Sequence, residues 1–193
     1  MTVRKPNGRP INSQATPALM QAARRLVSEH GYQAVSMQMI ADLAGVGRQT
    51  VYRRWPSKAG LVFDAYLERA QELGEIPDGP VIGMLTRFLT QIFEGLEQDG
   101  LAVSSLIAAA QDDPEFRESF NERFVKPRDN IMEQILRRAV TRGELLDSVD
   151  LELVVEMVHG TFWYRLLLGK PLDRAYAARL AELVLRPLMA SSQ

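Results

Sequence analysis

Cysteine is absent from the 193-residue chain, which excludes disulfides, thiolate nucleophiles and thiolate metal sites together and points to a reducing compartment. Histidine is scarce: His30 and His159 are the only two, and neither stands in an H-E-x-x-H pair. With no glycine-rich phosphate loop either, hydrolytic, metal and nucleotide chemistry lack their usual parts. No apolar run approaches the ~20 residues that span a bilayer. The amino-terminal MTVRKPNGRPINSQ is basic but holds no apolar segment of the kind a secretion signal needs. The expectation is a soluble, cytoplasmic protein without a membrane partner or cofactor. Repeats and low-complexity tracts are missing as well, and a 46% hydrophobic content is enough for a proper core.

Acid is missing from one stretch in particular. Between Asp42 and Asp64 there is none, yet GVGRQTVYRRWPSKAG, residues 45–60, carries Arg48, Arg53, Arg54 and Lys58. Residues 1–60 hold nine Lys or Arg against two acids, whereas the remainder holds 14 against 22. The net charge of −1 therefore hides a basic head on an acidic body. Such a distribution turns one end toward a polyanion and the other away from it.

Helix signals recur along the chain and strand signals do not, so the fold class read from the pattern is all-α. Thr16-Pro17 opens a first helix that Gly31 ends; Ser36 caps a second that Gly45 closes; a third, short helix follows Gly47 and stops at Pro56-Ser57, where Ser57 caps a fourth. Beyond Asp78-Gly79-Pro80 the pattern predicts helices over 81–98, 101–110, 113–142, 150–168 and 171–188, with Pro127 kinking or splitting the third of these. That makes nine.

Two short helices joined by a tight glycine-containing turn, braced by a longer helix, form a helix-turn-helix. At about 100° per residue, Val51 and Trp55 share the inward face of the third helix, against Ile40, Leu43 and Val46. Gln49, Thr50 and Arg53 point outward, with Arg48 and Tyr52 on one flank and Arg54 on the other. Arginine pairs two-pronged with guanine and glutamine with adenine, so Arg53 and Gln49 are the candidate base readers. Arg48, Thr50, Tyr52, Arg54 and Lys58 are candidate phosphate donors, and Ser36 adds a contact at the start of the preceding helix. A solvated basic face around a core tryptophan is the plainer alternative, but the basic run coincides with the turn, the inward apolar residues and the lack of acid. Arg4, Lys5 and Arg9 form a basic arm that could enter a minor groove, though a solubilising tail accounts for them more simply.

The stretch TPALMQAARRLVSEHGYQAVSMQMIADLAGVGRQTVYRRWPSKAGLV resembles the DNA-binding domain of the tetracycline-repressor (TetR/AcrR) family of bacterial transcriptional regulators. The resemblance covers about fifty residues: the first-helix A-x-x-L-x-x-x-x-G-Y, the turn I-A-x-x-A-G-V and the closing Y-x-x-W-x-x-K. It implies phosphate contacts by Tyr52 and Lys58. Where the family more often has histidine and phenylalanine this chain has Arg54 and Trp55, which keeps a phosphate-binding group but gives no ground for a shared base preference. Residues 1–15 read from their composition as a flexible arm; the resemblance implies a helix-turn-helix domain over 16–60 and an effector-binding, dimerising helical body over 61–193.

Within the body, Phe116, Phe120 and Phe124 recur at i, i+4, i+8, while Phe88 and Ile92, and Met132, Met157, Phe162 and Trp163, offer further apolar surface. Such stripes are ordinarily core; together with His159 they are also the candidate lining of an effector pocket. Leu151, Val154, Val155, Val158 and Phe162 form one stripe near the carboxyl end and Tyr176, Leu180, Leu183, Val184 and Leu188 another. With the family's architecture and the prevalence of two-fold symmetry, these are the candidate dimer interface, a four-helix bundle. The reading is a ligand-responsive repressor that binds a near-palindromic double-stranded DNA operator as a homodimer and leaves it when an effector binds. Two rivals stand beside it: a helix-turn-helix activator or architectural factor without an effector, and a helical enzyme with an incidental basic patch.

Overall fold

The computed structural model describes residues 15–70 and 74–190, and these form nine α-helices and no strand. They are α1 (Ala15–His30), α2 (Met37–Ala44), α3 (Arg48–Arg54), α4 (Lys58–Ala70), α5 (Val81–Asp112), α6 (Pro114–Phe120), α7 (Lys126–Thr141), α8 (Leu151–Leu167) and α9 (Arg174–Leu185). The basic arm, but for Ala15, lies outside the described residues. Two compact units meet between Ala65 and Tyr66, five residues beyond the boundary read from the sequence.

In the first unit, α1 buries Leu19, Ala22, Ala23, Leu26 and Val27, and α2 answers with Met37, Ile40 and Ala41. Each fully buried Leu or Ile adds roughly 1.5–3 kcal/mol. Gly45 ends α2 at φ 65°, where a side chain would clash with its own backbone, and its N–H meets the free carbonyls of Ala41 and Asp42. Leu43, expected inside, is 45% exposed: on a helix of two turns the inner arc is already filled by Met37, Ile40 and Ala41.

In the second unit, α5 is one unbroken helix of 32 residues, not the two expected over 81–98 and 101–110. Gly100 does not stop it. That residue is buried, and a Cβ there would sit 3.0 Å from Leu166 Cδ1, so this glycine gives α8 room to approach. The stretch 113–142 is split, as the Pro127 within it predicts, into α6 and α7 around a π-helical turn, Asn121–Val125, with Pro127 in the first turn of α7. Nine helices result, differently composed. α5 packs on α9, α7 and α8 around Met84, Phe88, Leu89, Phe93, Met132, Leu136, Val158 and Phe162.

Candidate nucleic-acid interface and ligand cavity

Gly47 starts α3 and Trp55 ends it. Val51 is wholly buried and Trp55 is 6% exposed, its indole N–H donating to Asp64 Oδ2 at 2.7 Å. This anchor fixes the rotation of α3. Gln49, Tyr52, Arg53 and Arg54 are exposed in consequence, Arg48 also, and Thr50 is half-buried. The Arg48 guanidinium lies 5.2 Å from the Tyr52 ring centre, so these two flank residues are held as a pair. Arg54 donates to the Thr16 hydroxyl on α1. Ser36 caps α2 by accepting from the Met39 N–H at 3.2 Å and stays exposed.

Lys58 departs from its expected place on a phosphate. Its ammonium donates to the carbonyls of Tyr32 at 2.8 Å and Val35 at 2.9 Å, and lies 4.2 Å from the Tyr32 ring centre. Burial lowers its pKa. Two of its three donors are thus spent on the α1–α2 connection, where a loop without helical hydrogen bonds leaves carbonyls to be satisfied.

The body holds a partly open cavity of about 280 Å³. Ile92 and Leu96 of α5, Phe124 of the π-turn, and Phe162, Trp163 and Leu166 of α8 form its apolar walls; Tyr66, Gln91, Glu94, Gln98, Asp99, Arg128 and His159 are its polar members. Arg128 is 8% exposed; its guanidinium donates to the Phe124 carbonyl and covers the Phe124 ring at 3.9 Å. Burial lowers its pKa to about 10, against the opposing charge of Asp129, and it stays a cation at neutral pH. His159 is pulled down to about 4, first by burial and then by Arg128, against a hydrogen bond to the Val155 carbonyl, so it is neutral. His159 Nδ1 is only 3.0 Å from Asp129 Oδ1, but that buried oxygen receives no hydrogen bond, so the contact is proximity rather than a bond. Burial also raises the Asp129 pKa.

Comparison with known proteins decides the family. Residues 19–65 match "Bacterial regulatory proteins, tetR family", and residues 78–184 match "Tetracyclin repressor-like, C-terminal domain". The chain belongs to the TetR family. It is 30% identical over 181 residues to the DNA-binding transcriptional repressor TetR of Mycobacteroides abscessus, covering 89% of this chain and 92% of that one. It is 29% identical over 188 residues to the HTH-type transcriptional regulator YdeS of Bacillus subtilis, covering 96% and 95%. The crystal structure of FadR from Bacillus subtilis with stearoyl-CoA shares the fold, with TM-score 0.70 at 22% identity over 87% of this chain and 96% of that one. This TetR-family protein is a DNA-binding transcriptional regulator.

The TetR-family body holds the expected pocket residues in three different places. Ile92, Phe124, His159, Phe162 and Trp163 line the cavity. Phe88 and Met132 do not: both are fully buried in the core, because the face of α5 and α7 on which they stand turns toward α9 and α8. Phe116 and Phe120 stand behind Phe124, whose ring stacks on Phe120 at 5.0 Å, and Met157 is exposed on the outer side of α8. Arg128 and Gln91 went unforeseen. Arg128 extends the series 116, 120, 124 by one more step of four, and a charge on an aromatic stripe was the available signal.

The stripes expected to form the dimer interface are internal. Val154, Val155, Val158, Phe162, Leu180 and Val184 are buried within the single chain, and Leu151, Tyr176 and Leu188 pack half-buried against the same core. Leu183 alone is open, at 75% exposure. The cause is that α8 is apolar nearly all round, so periodicity could not separate its inner from its outer face. The outer face carries Leu153, Met157, Tyr164 and Leu167, all exposed.

Proposed function

We propose that this regulator is a repressor that binds a near-palindromic double-stranded DNA operator as a homodimer and is released by a small effector held in the cavity of its body. The observation that carries the DNA contact is the division of α3: Val51 and Trp55 are locked inside while Gln49 and Arg53 face out, with no acid between Asp42 and Asp64. One such helix fits one major groove, and its outward glutamine and arginine match adenine and guanine edges. For the dimer, the support is the exposed row Leu153, Met157, Tyr164 and Leu167 on α8 with Leu183 on α9, which suits a two-fold four-helix bundle. For the effector, the support is a largely apolar cavity with a few convergent polar groups, in a fold whose FadR relative was solved with stearoyl-CoA.

Selection of bound duplexes from a random pool tests this. The expected product is an inverted repeat whose half-site centres lie about 34–36 Å, or a multiple of that, apart along the helix axis. Enrichment of lone half-sites would contradict the dimeric reading.

A further inference from the structure

Glycine inside a helix calls for a reason, because after proline it is the least favourable interior residue: its backbone loses most freedom on ordering and it adds no side chain to pack. Two glycines of α5 have different reasons. Gly100 is accounted for within the chain, since Leu166 Cδ1 lies 3.0 Å from where its Cβ would be. Gly95 is not. Its φ is not positive, and among the described residues a Cβ at that position would meet nothing within 4 Å.

The space over Gly95 is the cavity, which this residue lines together with Gln91, Ile92, Gln98 and Asp99 of the same helix. At about 100° per residue those four fall within about 60° of Gly95, two on each side, so Gly95 is the middle of the strip that α5 presents to the cavity. It is exposed, and so belongs to the open side. Bare backbone at that point forms a floor that a flat group can approach closely. From α8 the same cavity receives rings: His159 lies between Phe162, at 5.1 Å, and Trp163, at 6.3 Å between ring centres. Rings pack well on rings. The volume of about 280 Å³ is roughly twice the ~150 Å³ at which a dry apolar cavity takes up benzene, which is room for two fused or linked rings.

We propose that the ring system of an aromatic ligand lies across the α5 backbone at Gly95, and that the missing side chain at this position sets the largest ligand the cavity takes. This rests on the reading of the cavity as the effector site, but the two fail separately. Isothermal titration of the full chain with 2-naphthol and phenol, which share their one polar group and differ by a ring, compares wild type with Gly95→Ala and Gly95→Leu. Wild type should bind one 2-naphthol per chain. Alanine and leucine are better helix formers than glycine, so both variants should melt at a higher temperature than wild type in the absence of ligand. Affinity for 2-naphthol should nevertheless fall, by about threefold in Gly95→Ala and roughly tenfold or more in Gly95→Leu, while that for phenol changes by less than about threefold. Stability and binding thus move in opposite directions, which a merely structural glycine does not produce. If leucine disturbs the fold and lowers the melting temperature, the smaller Gly95→Ala change carries the comparison. Equal 2-naphthol binding by wild type and both variants, loss of phenol and 2-naphthol in the same proportion, or failure of 2-naphthol to bind wild type overturns the proposal. Adding 2-naphthol to the complex with a selected operator separates the readings: binding that depends on residue 95 without release of DNA leaves the role of Gly95 standing and sinks the effector role.

Discussion

Arg53 and Lys58 look alike in the sequence, two cations flanking one tryptophan, and the structure gives them different work. Arg53 is free to reach a base edge, whereas Lys58 is spent on the Tyr32 and Val35 carbonyls and the Tyr32 ring. Arg53→Ala should therefore cost about 1–3 kcal/mol of operator binding and relax preference at one base pair, measured by binding to a panel of operator variants. An unchanged sequence profile would remove Arg53 from the base-reading role. Lys58→Ala should instead lower the melting temperature, since a hydrogen bond to a charged group contributes about 1.5–3 kcal/mol net of exchange with water. Its salt dependence of DNA binding should match the wild type; a slope shallower by about 1.8 on a full operator, about 0.9 for each head, would restore Lys58 to a phosphate.

Glycine separates what an element needs from what its neighbour needs, as Gly100 and Gly160 show. At Gly100 the missing side chain makes room for Leu166, so Gly100→Ala should leave stability within about 1 kcal/mol of wild type, its gain in helix propensity offset by displacement of Leu166. Gly100→Ile should overpack and cost about 1–3 kcal/mol by urea unfolding. If both variants stabilise alike, Leu166 does not constrain the site. At Gly160, in the middle of α8, a Cβ would meet nothing within 4 Å. Gly160→Ala should then raise stability by about 1 kcal/mol, while Gly160→Arg should shift the protein to monomer in sedimentation equilibrium, provided α8 meets its copy there. A Gly160→Arg dimer of unchanged affinity would move the interface elsewhere. The same elements show what could be read from the sequence. α3 was legible because turn glycines, Val51, Trp55 and an acid-free run agree on one rotation. α8 was not, because its two faces are equally apolar, and α5 was not, because a glycine that ends a helix and one that admits a neighbour look identical in one dimension. Of the cavity, the aromatic members were visible as stripes, but Gln91 and Arg128 reach it only through the meeting of α5 and α7 with α8.

Charge acts across the whole molecule, and it makes the salt response the most informative single measurement. The head is basic and the rest carries 22 acids against 14 basic residues, so attraction to DNA is confined to one end. With Lys58 committed to carbonyls, Arg48, Arg53 and Arg54 are the cations of the 43–63 run that remain exposed, and of these Arg53 is assigned to a base. Two heads then neutralise about four to six phosphates, and each contact releases counterions worth about 0.9 in the slope of log K against log salt. Affinity for a full operator should accordingly fall on the order of a hundred- to a thousandfold between about 50 and 200 mM salt. The monomeric Gly160→Arg chain engages one head, so its slope should be close to half of the wild type's. Filter-binding titrations of both proteins across that salt range decide it: equal slopes would mean that one head alone makes the phosphate contacts, and the operator would then need no dyad at all.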